Sequence, residues 1–282
     1  MNCIELNNVV KRYKSFTLGP LTFQIPMGCI VGYIGENGAG KSTTIKLLLG
    51  LIHPDQGDIR LFEQDARKNI PDLHDRIGFV FDELTLPNDL RIHQAEKMCR
   101  LFYRHWESDT FHRYLEHFSL SPSSAVKTLS RGMKMKLSLA IALSHRAELL
   151  LFDEATSGLD PVVRDEILDI LLEYVQDETH TVLISSHILS DLEKIADYVA
   201  FLHKGRLLFM ESKETLGEKY ALCFVTDAAA RAAIDPKAIL GSRKSSFGEE
   251  LLVERALMPS SAGLTRPSIE EIMIYLLKGE QK

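Results

Sequence analysis

Apolar residues in this chain fall into three kinds of block. Leu21, Phe23 and Ile25 alternate with Thr22 and Gln24, the period of a strand with one buried face, and residues 2–25 as a whole read as strands. Short, solidly apolar blocks form the second kind: 29–34, 76–81, 149–152 and 181–184. Runs of this length fit strands buried on both faces. Ile59 and Leu61 predict a further short strand after the turn Pro54-Asp55-Gln56-Gly57, and 198–203, Lys204-Gly205 and 206–210 predict a hairpin. The third kind is helical. It covers 43–49, an amphipathic stretch at 134–143, and a region at 88–128 that carries Met98, Leu101, Phe102 and Trp106, then Phe111, Tyr114, Leu115 and Phe118.

Strands alternating with helices predict an α/β fold, with 88–128 as an inserted helical subdomain. From about residue 218 the pattern changes. Short strands at 221–225 and 251–257 flank a turn-rich stretch, 241–248. Ser268-Ile269-Glu270-Glu271 is a capping box for a last helix with Ile272, Ile274, Leu276 and Leu277. This segment predicts a small α+β appendage.

Composition narrows the class without changing that picture. A chain of 282 residues, 45% hydrophobic and 26% charged, is ordinary for a soluble globular protein of one large domain, or one domain plus an appendage. The net charge of −6 gives no sign of a nucleic-acid surface, so no nucleic-acid partner is expected. The 4 cysteines, Cys3, Cys29, Cys99 and Cys223, are scattered, which fits a reducing compartment better than a disulfide framework or a zinc site. No apolar run approaches the ~18 residues that span a bilayer, and the first residues do not read as a signal peptide. A soluble chain able to dock on a membrane protein is expected.

The chemistry centres on Gly35-Glu36-Asn37-Gly38-Ala39-Gly40-Lys41-Ser42, which fits the spacing G-x-x-x-x-G-K-[ST] between a buried strand and a helix. Glycines let the backbone approach phosphate oxygens, and the helix starting near Lys41 and Thr43 aims its free N–H groups at them. Lys41 supplies a charge for the β/γ-phosphates and Ser42 a hydroxyl for Mg²⁺. Two strands end in carboxylates, at Asp82-Glu83 and at Asp153-Glu154, where α/β sheets place their ligands. Beside a phosphate loop, Asp153 serves the Mg²⁺ shell and Glu154 can act as general base on water. His187 ends another buried strand and suits phosphate sensing, and Tyr13, between two strands, could stack on a purine. Ser130 stands in N-cap position with Gly132 close by, a second weak anion site. His93, His105, His112 and His117 show no ligand spacing and read as ordinary surface or core histidines.

Together these motifs resemble the nucleotide-binding subunit of an ABC transporter, in the family's motif order over about residues 2 to 216. Gly35 to Ser42 matches the Walker A loop, and Leu129-Ser130-Arg131-Gly132-Met133 the signature usually written Leu-Ser-Gly-Gly-Gln. Leu149 to Glu154 matches Walker B with the catalytic glutamate, Ser157 to Asp160 the D-loop, His187 the switch histidine and Tyr13 the adenine-stacking aromatic. Two features depart from the pattern: Asp82 stands where the family has a glutamine that helps hold Mg²⁺, and Arg131 and Met133 replace glycine and glutamine. With the short appendage, the altered signature resembles the exporter branch that handles antibiotics and peptides.

The resemblance implies a P-loop NTPase core of mixed sheet flanked by helices, with an antiparallel β subdomain and a helical subdomain at about 84–145. That domain spans 1–217, and 218–282 is a small accessory domain. It implies ATP and Mg²⁺ as ligands. Site residues carried over are Tyr13, Gly35, Glu36, Asn37, Gly38, Ala39, Gly40, Lys41, Ser42, Thr43, Ser130 and Gly132 for the nucleotide, Ser42, Asp82 and Asp153 for the metal, and Glu154, His187 and Lys41 for catalysis. Two copies would close head to tail on ATP and drive a separate integral-membrane subunit, from the cytoplasmic face of the cell membrane. Leu84, Leu86 and Leu90 are expected to help line the groove for that subunit. An ABC-type ATPase without a transport role, or a regulatory subunit that holds ATP, are the alternatives.

Overall fold

The computed structural model describes residues 1–68, 70–259 and 263–279. They form two compact units, Met1–Met210 and Glu211–Lys282.

The first unit opens with β1 (Asn2–Arg12) and β2 (Thr17–Pro26), paired antiparallel. Leu21, Phe23 and Ile25 point into the core and Thr22 and Gln24 into solvent, because successive strand residues face opposite sides. Next come β3 (Ile30–Gly35), α1 (Lys41–Leu48), β4 (Gln56–Leu61) and β5 (Gln64–Asp65), and the first sheet has the order β2-β1-β4-β5. Further on are α2 (Ile70–Asp75), β6 (Ile77–Phe81), α3 (Ile92–Phe102), α4 (Ser108–His117) and α5 (Arg131–Ala142). The unit continues through β7 (Leu149–Asp153), α6 (Pro161–Tyr174), β8 (Thr181–Ser186), α7 (Leu189–Ile195) and β9 (Tyr198–His203) into β10 (Arg206–Ser212), at whose Met210 it ends.

The second sheet, β10-β9-β3-β8-β7-β6, holds three of the solidly apolar blocks in its interior, whereas the block at 76–81 forms the edge strand β6, where Phe79 is 41% exposed rather than buried. Every residue of β3 and β8 is buried. β3, β6, β7, β8 and β9 run parallel to their neighbours among these five, so their C-terminal ends share one edge. Along that edge Phe81 pairs with Asp153, Asp153 with Ser185 and Ser185 with Tyr33. This mixture of a parallel sheet, helices and an antiparallel sheet is the expected α/β architecture.

The helical region departs from the sequence reading in one respect. α3 stops at Phe102, and extended backbone at Tyr103 takes Trp106 out of the helix. Its buried stripe is Ile92, Ala95 and Cys99, whereas Leu101 and Phe102 are 86% and 76% exposed. Trp106 instead packs between Tyr103 and Phe111.

The second unit contains α8 (Lys213–Lys219), β11 (Tyr220–Val225), α9 (Ala228–Ala232), β12 (Ile239–Ser245), β13 (Gly248–Glu254), β14 (Leu264–Thr265) and α10 (Ile269–Gly279). The expected boundary at 217 falls within α8. The sheet order is β12-β13-β11-β14. Here the reading of 241–248 as turn is corrected: β12 runs through to Ser245 and the hairpin reverses at residues 246 and 247. Cross-strand pairing of Arg243 with Glu250 and Lys244 with Glu249 supports a strand that polar composition disguises. 255–257 form a short 3₁₀ turn rather than the end of a strand. The capping box forms as read: Ser268 Oγ accepts from Glu271 N at 3.1 Å, and Ser268 N donates to Glu271 Oε2 at 2.8 Å.

Candidate active site

The loop after β3 turns through Gly38 (φ 81°) and Gly40 (φ 112°), left-handed conformations that cost little without a Cβ. Gly40 is the N-cap of α1 and no side chain caps that end, nor is there an acid in the first turn. The helix therefore presents uncapped N–H groups and its positive dipole end, which suits an anion. Glu36, Asn37 and Gly38 are exposed, whereas Ala39 packs at 3% exposure and Thr43 is half-buried.

Lys41 is 4% exposed, so its ammonium must be partnered inside the fold. Its Nζ donates to Gly35 O at 2.7 Å and to Glu36 O at 3.3 Å, and it stands 3.1 Å from Glu154 Oε1. The cation thus lies in the loop, bound to its carbonyls and to a carboxylate from the next strand but one.

That carboxylate belongs to the shared sheet edge. Asp153 Oδ1 accepts from Ser42 Oγ at 3.1 Å and from Ser185 Oγ at 2.8 Å. Glu154 N donates to Ser185 Oγ at 3.0 Å, and Glu154 itself has a left-handed backbone with φ 51°. A non-glycine residue in this region is strained and needs its surroundings to hold it there. His187 Nδ1 lies 3.4 Å from Glu154 Oε2, on a ring about half exposed.

The fold therefore gathers Lys41, Ser42, Asp153, Glu154 and His187 at one end of the sheet. It adds Ser185, a fully buried hydroxyl that holds both acidic residues. In the sequence Ser185 reads only as the polar tip of an apolar strand. A hydroxyl in that strand is the available signal, but its role depends on the parallel register that sets Ser185 beside Asp153.

The remaining candidates stand apart. Tyr13 is 47% exposed in the β1–β2 turn, where its N–H donates to Phe16 O at 2.7 Å. The Phe16 ring lies against the loop: a Cβ built on Gly40 would be 3.1 Å from Phe16 Cζ. Ser130 caps α5, accepting from Met133 N at 3.2 Å, with Gly132 half-buried in the first turn. Among the described residues neither forms a hydrogen bond or ion pair with the Lys41 cluster. Asp82 is exposed, makes no such contact with Ser42 or Asp153, and lines a polar cavity instead. The four histidines of the helical region lie beside ordinary partners, such as Pro122 O for His93 and Glu96 for His112.

A phosphate fits this geometry, since an uncapped helix end, an open glycine loop and a buried ammonium converge. Among the described residues no group of three His, Cys, Asp or Glu could hold a metal ion. The neighbouring oxygens of Ser42 and Asp153 are the two a hard cation would use, with phosphate oxygens and water completing its shell.

Comparison with known proteins agrees. The sequence matches the ABC transporter family over residues 18–157. The bacitracin transport ATP-binding protein BcrA of Bacillus licheniformis is 35% identical over 214 residues, 73% of this chain and 68% of that protein. The lantibiotic transport ATP-binding protein SrtF of Streptococcus pyogenes is 35% identical over 210 residues, 73% of this chain and 89% of that protein. Among solved structures, an ATP-binding subunit of an ABC transporter aligns with a TM-score of 0.71 at 27% identity, covering 76% of this chain and 91% of that one. The chain belongs to the ABC transporter family, as one of its ATP-binding, ATP-hydrolysing proteins.

Proposed function

We propose that this chain powers export of an antibiotic or peptide through a separate membrane subunit, with residues 1–217 as its nucleotide-binding domain and 218–282 as an accessory domain. The cluster of Lys41, Asp153, Glu154 and His187 at the phosphate loop carries the catalytic half of this reading. The relatives named for bacitracin and lantibiotic transport support the substrate class.

ATP binds with its phosphates on the loop and the uncapped end of α1, and Tyr13 stacks on the adenine. Lys41 then exchanges Glu154 for phosphate oxygens, because both compete for one ammonium. Freed of Lys41, Glu154 is available to take a proton from the attacking water, and His187 orients against the terminal phosphate. Ser42 and Asp153 would hold Mg²⁺, which would supply positive charge to offset that of the phosphates. A second copy contributes Ser130 and Gly132, whose helix end completes the anion site across a homodimer.

Ser185 orients this machinery without touching substrate. Ser185→Ala leaves Asp153 with one hydrogen bond fewer and Glu154 less firmly fixed, so kcat falls about tenfold while ATP affinity changes little. Steady-state phosphate release and ATP titration separate the two effects.

No helix among the described residues is long and apolar enough to cross a membrane. An exposed apolar groove supports attachment to a membrane subunit at the inner face of the cell membrane. Phe79, Phe81, Leu84, Leu86, Met98 and Phe102 line it, and surface patches of this kind mark interaction sites. Leu84 and Leu86 are half-buried there, while Leu90 is not among the lining residues. Serine at both 84 and 86 is expected to release the chain from sedimented membranes and sensitise cells to peptides of the bacitracin class. The melting temperature should move by no more than about 4 °C, as for a change outside the core. Unchanged sedimentation and sensitivity would refute the transport reading and leave the ATPase assignment intact.

A further inference from the structure

Four charged side chains that the mechanism leaves unused face one polar cavity of about 440 Å³: Asp82, Glu83, Arg131 and Lys134. Asp82 and Glu83 follow β6, whose last residue pairs with Asp153. Arg131 and Lys134 lie in the first turn of α5, beside Ser130 and Gly132. Among the described residues none of the four side chains makes an ion pair or hydrogen bond, so two carboxylates and two cations confront each other across the gap.

The Arg131 guanidinium also lies on the loop that follows Glu154. A Cβ built on Gly158 (φ 68°) would stand 2.7 Å from Arg131 Nη1 and 3.1 Å from Cζ. Arg131 therefore occupies the junction between the acidic sheet edge and that loop. The same cavity unites the two departures from the family motif that change charge: an acid for a neutral glutamine at 82 and a base for glycine at 131. Each alone would unbalance the potential next to a polyphosphate, whereas together they cancel.

We propose that Arg131 is a positioning residue whose charge answers Asp82 across this cavity, holding the N-terminus of α5 against the sheet edge that carries Asp153 and Glu154. This rests on the reading of that edge as the site of ATP hydrolysis.

The test is a double-mutant cycle on the full-length chain, with kcat and KM for Mg-ATP measured for Arg131→Ala, Arg131→Lys, Asp82→Asn and the Asp82→Asn/Arg131→Ala pair. Arg131→Ala lowers kcat about fivefold, a magnitude usual for groups coupled across a site, and Arg131→Lys stays within about twofold of the parent. Asp82→Asn in the Arg131→Ala background recovers most of the loss, because the unanswered carboxylate is gone. Both substituted residues, Asp82 and Arg131, are exposed, and thermal melts of each variant separate misfolding from mispositioning. Two results overturn the proposal: a double variant as poor as the product of the singles, or Arg131→Lys as slow as Arg131→Ala, which would make packing on Gly158 the decisive contact. A parent chain that hydrolyses no ATP would instead refute the functional reading beneath it.

Discussion

Glu154→Gln ends turnover and traps a closed, ATP-bound pair. Loss of a positioned general base costs about 10²–10⁴ in rate, so phosphate release should fall by about a thousandfold. Binding should not fall with it. Glu154 stands 3.1 Å from Lys41 and competes with phosphate for that ammonium, and a neutral amide competes less. ATP affinity therefore holds or rises, and light scattering with Mg-ATP should report a dimer that disappears without nucleotide. Residual hydrolysis near the parent rate would remove Glu154 from the base role. A variant that binds ATP yet stays monomeric would overturn the homodimer.

Lys41→Ala has the opposite signature, a loss of binding before any loss of chemistry. The ammonium is 4% exposed, and it offsets both the loop carbonyls of Gly35 and Glu36 and the Glu154 carboxylate. Removing it leaves Glu154 facing the incoming phosphates with no cation between them. Charge-assisted hydrogen bonds are worth about 1.5–3 kcal/mol each, so ATP affinity should fall at least about a hundredfold. Titration with a fluorescent ATP analogue measures this directly. Adding Glu154→Gln to Lys41→Ala should return part of the affinity by removing the repulsive carboxylate. If the double variant binds no better than Lys41→Ala, the two groups do not share the ammonium's role.

The α/β core was legible because its central strands are buried on both faces and leave solid apolar blocks, as at Leu149–Phe152. β12 was hidden because Gly241, Ser242, Arg243, Lys244 and Ser245 are small or polar, and only pairing with β13 makes the segment a strand. Trp106 was misplaced because helical spacing continued past the point where Tyr103 ends α3. At the candidate site, Lys41, Ser42, Asp153, Glu154 and His187 could be read from a loop spacing and two strand ends. Ser185 could not, since its contacts join residues 32 and 31 positions apart through sheet register. Nor could the side of α5 on which Arg131 lies, which depends on how that helix packs beside Gly158.

The left-handed backbone at Glu154 sets the chain's evolutionary room for manoeuvre. Holding an L-residue at φ 51° costs about 1–3 kcal/mol, a sizeable fraction of a typical domain's stability. Glycine, asparagine and aspartate relax that conformation, and of these only aspartate carries a carboxylate, on a side chain one methylene shorter than that of Glu154. With Glu154 as the proposed base, mutational drift toward a sturdier fold at this position leads away from hydrolysis. On the proposed role of Glu154 as base, selection for turnover holds a glutamate where the backbone alone would favour a shorter or smaller residue, so robustness and rate are opposed at a single dihedral angle.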